Sequence, residues 1–220
     1  MFIELSFALL ALTLGFKHSY DADHLIAVSN ILRKVKSLKS AVKISTSWAI
    51  GHMITATIIM ALLYVFRESA LNNILPHFEK IVGIMLIILG AISLISLFKV
   101  HGHKHKHNNI MHSHTHLHSR KEEHNHYHKH MFGIGIVHGL ASNDELLLLF
   151  TASLGVTSLG GILVGVGIFS IGVILGMITF VSLFMLPMIK INSDNVYKVI
   201  SGITGIAGIS YGIMMIFFIV

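Results

Sequence analysis

Long apolar stretches separated by short polar ones set the pattern of this chain. Apolar segments fall at 3–31, 44–66, 80–100, 131–154, 160–187 and 195–219. A membrane-crossing helix needs about 20 mostly apolar residues, so the pattern predicts six transmembrane helices. The stretches are continuous and do not alternate at a period of two, which argues against a membrane β-barrel. The connections are polar: a basic loop with Arg33, Lys34, Lys36, Lys39 and Lys43, and a short link with Arg67, Glu68, Pro76, His77 and Glu79. A Gly/Ser/Thr turn follows near Gly155 to Gly160, and a polar stretch at Lys190 to Asn195.

One interval, 101–130, is almost wholly polar and divides the chain into 1–100, 101–130 and 131–220. The expected architecture is an all-α integral membrane protein of two three-helix halves joined by a disordered loop. Three is an odd number, so related halves would sit in the membrane with opposite orientation, as inverted repeats do. FKHSYDADHL at 16–25 and IVHGLASNDEL at 136–146 echo one another, each a His followed by small and acidic or amide residues.

Composition agrees with the membrane reading. Of 220 residues, 54% are hydrophobic and 12% charged, against about 45–50% and 25% in soluble domains. Cysteine is absent, which excludes disulfides, iron–sulfur clusters and thiolate metal sites. The chain starts Met1-Phe2-Ile3-Glu4 without a basic leader, so the first apolar segment is expected to stay in place.

The net charge of +6 reads as loop asymmetry, since basic residues gather on the cytoplasmic side. Six spans put thirteen Lys and Arg on one side and only Arg67 and Lys80 on the other, with Lys17 inside the first span. Both termini are then expected outside and 101–130 in the cytoplasm. No nucleic-acid partner is expected, for there is no basic, aromatic-interleaved soluble domain.

Ionisable residues inside an apolar span are costly and by default functional. His18, Asp21, Asp23 and His24 stand in HSYDADH within the first span. Imidazole nitrogen with carboxylate oxygen suits nickel, cobalt and zinc. At about 100° per residue, His18, Asp21 and His24 share one helix face while Asp23 points away. Either Asp23 orients a histidine by hydrogen bond, or the helix unwinds locally, as transporter helices do at midplane sites. His52 lies within the second apolar segment after Gly51, which permits close helix approach. His138, Asn143, Asp144 and Glu145 form a polar island in the fourth span, lining a pathway or an aqueous vestibule. His77, after Pro76, reads as an exposed outer-loop residue.

HSYDADHLIAVSN resembles the signature of the nickel/cobalt transporter family, a His-x4-Asp-His motif followed by a small apolar run and Asn. On this chain the motif falls on His18, Asp23 and His24, with Asp21 matching the family's frequent first aspartate. IGHMITATI is similar to the second motif, its Gly-His pair at Gly51 and His52, although Met53 stands where Ser is frequent. VHGLASNDELLLLF resembles the second-half motif of the shorter urease-accessory-type permeases. The resemblance implies transport of nickel(II) or cobalt(II) across the cytoplasmic membrane, with His18, Asp21, Asp23, His24 and His52 forming or supporting a transient site. It leaves the role of Asp23 open.

Twelve of the 17 histidines lie in the polar interval: His101, His103, His105 and His107, then His112, His114, His116 and His118, then His124, His126, His128 and His130. Flexible alternation lets several imidazoles chelate one ion, so the tract is expected to bind metal and to be disordered. A cytoplasmic metallochaperone is a candidate partner, and no cofactor is expected. The expected function is a permease, most readily for uptake. The alternatives are efflux through the same site and a membrane-anchored metal store or sensor. An HExxH motif is absent, and enzyme activity is not expected.

Overall fold

The computed structural model describes residues 2–32, 35, 37–66, 75–98, 102–107, 110–115, 124–140, 159–191 and 193–218. Seven helices occur among them: α1 (Phe2–His18), α2 (Ala22–Leu32), α3 (Leu38–Phe66), α4 (Leu75–Phe98), α5 (His124–His138), α6 (Leu159–Ile191) and α7 (Asp194–Phe217). Lipid offers no partner for backbone N–H and C=O groups, so spanning segments of this composition close their hydrogen bonds internally as helices. The shortest of α3, α4, α6 and α7 has 24 residues. At 1.5 Å per residue that is about 36 Å, enough for a hydrocarbon core of about 30 Å.

These four helices match the second, third, fifth and sixth expected spans. The first expected span is two helices, α1 and α2, parted by Ser19, Tyr20 and Asp21. The fourth begins earlier than expected, because α5 starts at His124 inside the histidine tract. Its expected continuation over 141–154 lies outside the described residues.

The histidine tract also departs from the expectation of disorder. Gly102–His107 (β1) and Ile110–Thr115 (β2) form an antiparallel pair, with His103 opposite His114 and His105 opposite His112. Strand geometry repeats every two residues, and the alternating histidines carry that same period.

Unlike a soluble bundle, this one is apolar on its outside as well as in its core. Ile81, Ile84, Ile88, Ile92 and Ile95 form an exposed stripe along α4, and Val199, Ile203 and Ile206 are exposed on α7. Water would not tolerate apolar surface on this scale, whereas lipid does. Serine and threonine hydroxyls on these helices donate to the carbonyl one turn back, as Thr57 does to Met53 and Ser170 to Val166.

With lipid as apolar as leucine, helices associate through close backbone approach and hydrogen bonds. The tight pairs are α1 with α6, α3 with α5, and α4 with α7. Each pair takes one helix from either side of the histidine tract. A Cβ at Gly135 would collide with the Trp48 carbonyl, one at Gly51 with the Phe132 carbonyl, and one at Gly139 with the His52 carbonyl. Those three glycines fix α3 against α5. The pair α4–α7 meets through Gly83, Gly90, Gly205 and Gly212, and Ser93 Oγ donates to the Ser201 carbonyl across it at 2.9 Å. Short α2 lies between this pair and the remaining helices. Its buried Asn30 donates from Nδ2 to the Thr204 carbonyl of α7 at 3.0 Å.

Gly133 and Gly135 provide a matched test, since a Cβ at Gly133 meets nothing within 4 Å. Gly133→Ala is expected to stabilise by up to about 1 kcal/mol through helix propensity. Gly135→Ala is expected to lower the melting temperature in detergent and to broaden the size-exclusion peak. Equal melting temperatures for the two variants would refute the close α3–α5 contact.

Candidate metal centre

The break between α1 and α2 gathers groups that one regular helix could not. Tyr20 N donates to the Lys17 carbonyl and Asp21 N to the His18 carbonyl, at 2.9 and 3.1 Å, closing α1 in tight three-residue turns. The chain then restarts, with Leu25 N on the Asp21 carbonyl at 3.1 Å. His18 ends one helix, and Asp23 and His24 begin the next. Of the two readings of Asp23 that the sequence left open, the structure contains both: the helix unwinds, and Asp23 hydrogen-bonds histidines.

His18, His24, His52 and His138 are all fully buried, and Asp23 is 1% exposed. Asp23 Oδ1 accepts from His24 Nδ1 at 2.8 Å and from the His24 backbone N–H at 2.9 Å. Its Oδ2 accepts from His138 Nε2 at 2.9 Å. One carboxylate therefore holds an imidazole from each side of the histidine tract and selects the tautomer of both. His18 Nδ1 donates to Asp21 Oδ2 at 2.9 Å, and the Asp21 side chain is 29% exposed.

These bonds leave the opposite ring nitrogens as lone pairs. With its proton on Nδ1, His18 accepts at Nε2 from His52 Nε2 at 3.2 Å. His24 Nε2, His52 Nδ1 and His138 Nδ1 have no hydrogen-bond partner among the described residues. One ligand atom from each of His18, His24 and His52 falls within 4.8 Å of the others. With the His52 proton moved to Nδ1, the two nitrogens, which lie 3.2 Å apart, would subtend an angle of roughly 100° at an ion about 2.1 Å from both. That angle suits a first-row divalent ion. A second trio, Asp23, His24 and His138, also meets the distance condition, but there the carboxylate oxygens already accept imidazole protons. Its geometry fits a carboxylate that orients ligands.

Trp48 also belongs to this cluster, a place that its type and surroundings in the sequence do not announce. Its ring stacks on His52 at 5.3 Å and 23°, and stands edge-on to His24 and His138 at 5.2 Å from each. Its position four residues before His52, on the same helix face, was the available signal. His138, expected only along a pathway, sits in the cluster itself. Asn143, Asp144 and Glu145 lie outside the described residues. Within the histidine tract, His103, His105 and His107 fall on β1, His112 and His114 on β2, and His124, His126, His128 and His130 on the first turns of α5. His101, His116 and His118 lie outside the described residues.

The chain is 33% identical over 212 residues to the urease accessory protein UreH of a Bacillus species, covering 94% of this chain and 90% of that protein. It is 32% identical over 101 residues to the nickel transporter NixA of Staphylococcus aureus, and 31% over 105 residues to the high-affinity nickel-transport protein NixA of Helicobacter pylori. Those two matches cover 42% of this chain, and 30% and 31% of the respective relatives. No protein-family model and no solved structure matches the chain.

Asp23→Asn replaces an acceptor of three donors by an amide that accepts at one atom only. At least one buried imidazole N–H then loses its acceptor, at a cost of about 1–3 kcal/mol. Thermal unfolding in detergent should show a clear loss for Asp23→Asn and a smaller one for Asp21→Asn, whose carboxylate meets solvent. An equal or larger loss for Asp21→Asn would contradict this assignment.

Proposed function

Because the chain belongs to the nickel/cobalt transporter superfamily, beside relatives that are transporters and an accessory protein rather than enzymes, we propose that it carries nickel(II) inward across the cytoplasmic membrane. The observation that carries this reading is the trio of nitrogen donors from His18, His24 and His52, buried at a break in a membrane-embedded helix. Three neutral imidazoles give an incomplete ligand set. The ion keeps part of its water and is bound weakly enough to leave, which transport requires. Asp23 and Asp21 orient the imidazoles, and His138 is held in place by Asp23. Cobalt(II), with similar ligand preferences, is a second cargo.

Since each tight helix pair takes one helix from each half, the halves do not move as separate blocks. The mobile unit in this reading is the α4–α7 pair with α2 docked on it. Its displacement breaks the Asp23–His138 hydrogen bond and carries Asp23 and His24 away from His18, His52 and His138, which opens the site, and re-forming that bond closes it. The charge asymmetry of the loops supports termini outside and the histidine tract in the cytoplasm, where the tract would receive ions and pass them to a metallochaperone. That same placement favours one second reading, efflux, with the tract collecting cytoplasmic metal for export.

Uptake of radioactive nickel at nanomolar external concentration, in cells with matched membrane levels of each variant, separates these readings. Wild type is expected to accumulate metal above the empty-vector control, and His18→Ala, His24→Ala and His52→Ala to fall back to it. Asp23→Asn should reduce uptake about 10–100-fold. Deletion of residues 101–123, which spares α5, should leave transport in place. Accumulation below the control would reverse the direction to efflux, and a full-rate His24→Ala variant would sink the site.

A further inference from the structure

Two sets of contacts, each joining one side of the histidine tract to the other, repeat one another at a nearly constant displacement. Gly15 abuts the Phe169 carbonyl, and Gly135, 120 positions on, abuts the Trp48 carbonyl, 121 positions before Phe169. Gly172 abuts the Leu12 carbonyl, and Gly51 abuts the Phe132 carbonyl. Gly176 meets the Ser19 side chain, and Gly139 meets the side chain of Thr55. Every member of the first set maps onto the second, with α1 corresponding to α5 and α3 to α6. The pair α4–α7 maps onto itself: a Cβ at Gly83 would lie 2.8 Å from the Gly212 carbonyl oxygen, and one at Gly90 2.5 Å from that of Gly205. Displacing Gly83 and Gly90 by 122 positions gives Gly205 and Gly212.

The backbone turns that end α1 and α5 repeat as well. Ser19 N bonds the Gly15 carbonyl and Tyr20 N the Lys17 carbonyl, while Gly139 N bonds the Gly135 carbonyl and Leu140 N the Val137 carbonyl. His18 and His138 are therefore counterparts, each the last residue of its helix. Their aromatic neighbours correspond too, with Phe169 at 5.5 Å from His18 and Trp48 at 5.2 Å from His138.

Exchange of partners between α1–α6 and α5–α3, with α4–α7 mapping onto itself, is the signature of a two-fold axis. His52 touches both His18 and His138, with ring centres at 5.4 and 5.7 Å, so the axis runs through the cluster. The counterpart of His52 is the residue that follows Gly172, as His52 follows Gly51. That residue is Val173, fully buried and apolar. Symmetry would supply an imidazole there, and the sequence withholds it.

We infer that the chain is an inverted repeat whose axis passes through the histidine cluster, and that Val173, the counterpart of His52, faces the transported divalent ion and keeps its ligand set one imidazole short. This assignment rests on the transport site proposed above. Val173 sets how tightly the cargo is held: an apolar wall leaves the ion a side on which only water can bind, and a donor there would convert a transit site into a retaining one.

A cysteine-free chain makes the test direct. Full-length Val173→Cys, close in volume to the parent, is purified in detergent and titrated with nickel(II). A thiolate-to-nickel charge-transfer band is expected in Val173→Cys, absent from wild type and lost in Val173→Cys combined with His24→Ala. Nickel binding by Val173→Cys at wild-type affinity without the band would overturn the assignment of Val173 while leaving the histidine site standing. Failure of wild type itself to bind nickel in a His24-dependent way would reject the site reading and this inference with it. Val173→His gives a second, independent readout if the cysteine variant does not fold. Slower nickel release than wild type supports the assignment, and an unchanged release rate refutes it.

Discussion

A carboxylate removed from water and surrounded by helices must be compensated where it sits, and Asp23 is compensated by the histidines. Its two oxygens take the protons of His24 and His138 together with a backbone N–H. The remaining nitrogens of those imidazoles are thereby committed as lone pairs, which is the state that metal binding needs. The same bonds tie α2 to the end of α5, and so join residues more than a hundred positions apart in the chain. Removing one carboxylate would disturb a tautomer, a ligand set and a helix junction together.

Around this point the helices are held by contact rather than by water exclusion. Many aliphatic side chains face outward, while the inside combines a buried apolar core, Val28, Leu32, Phe169 and Val173 among it, with glycines and serines at the helix crossings. The close approach at Gly51, Gly135 and Gly139 lets His52 and His138 meet, because helices kept apart by ordinary side chains would leave their rings too distant. Packing and site are therefore one construction. The glycines that look like mere spacers determine how far apart the donors lie.

Much of this was legible in the sequence. Four of the six apolar segments became long helices within a few residues of the expected ends, and His18, Asp23, His24 and His52 converge. The helical wheel could show that HSYDADH does not fit one helix face, but not where the helix would break, since that depends on the turns after His18. Trp48 carries no signal of its own in the sequence, because an aromatic residue one turn before a histidine is ordinary helix packing. The pairing of α3 with α5 could not be read, because a glycine in one helix does not say which neighbour it faces. In the histidine tract, composition argues for disorder, while the alternation carries the strand period that the structure adopts.

The break at Ser19 to Asp21 has an electrostatic consequence. A helix carries about half a positive charge at its first turn and half a negative charge at its last. The carbonyl end of α1 therefore arrives at His18, and the amide end of α2 arrives at Asp23. The carboxylate is steadied by the α2 terminus, and in the transport proposed above a cation entering the cluster would meet the negative terminus of α1 through neutral rings. Attraction would then come from peptide dipoles that never change protonation. A formal anion facing the cation directly would hold it far more strongly than a carrier can tolerate.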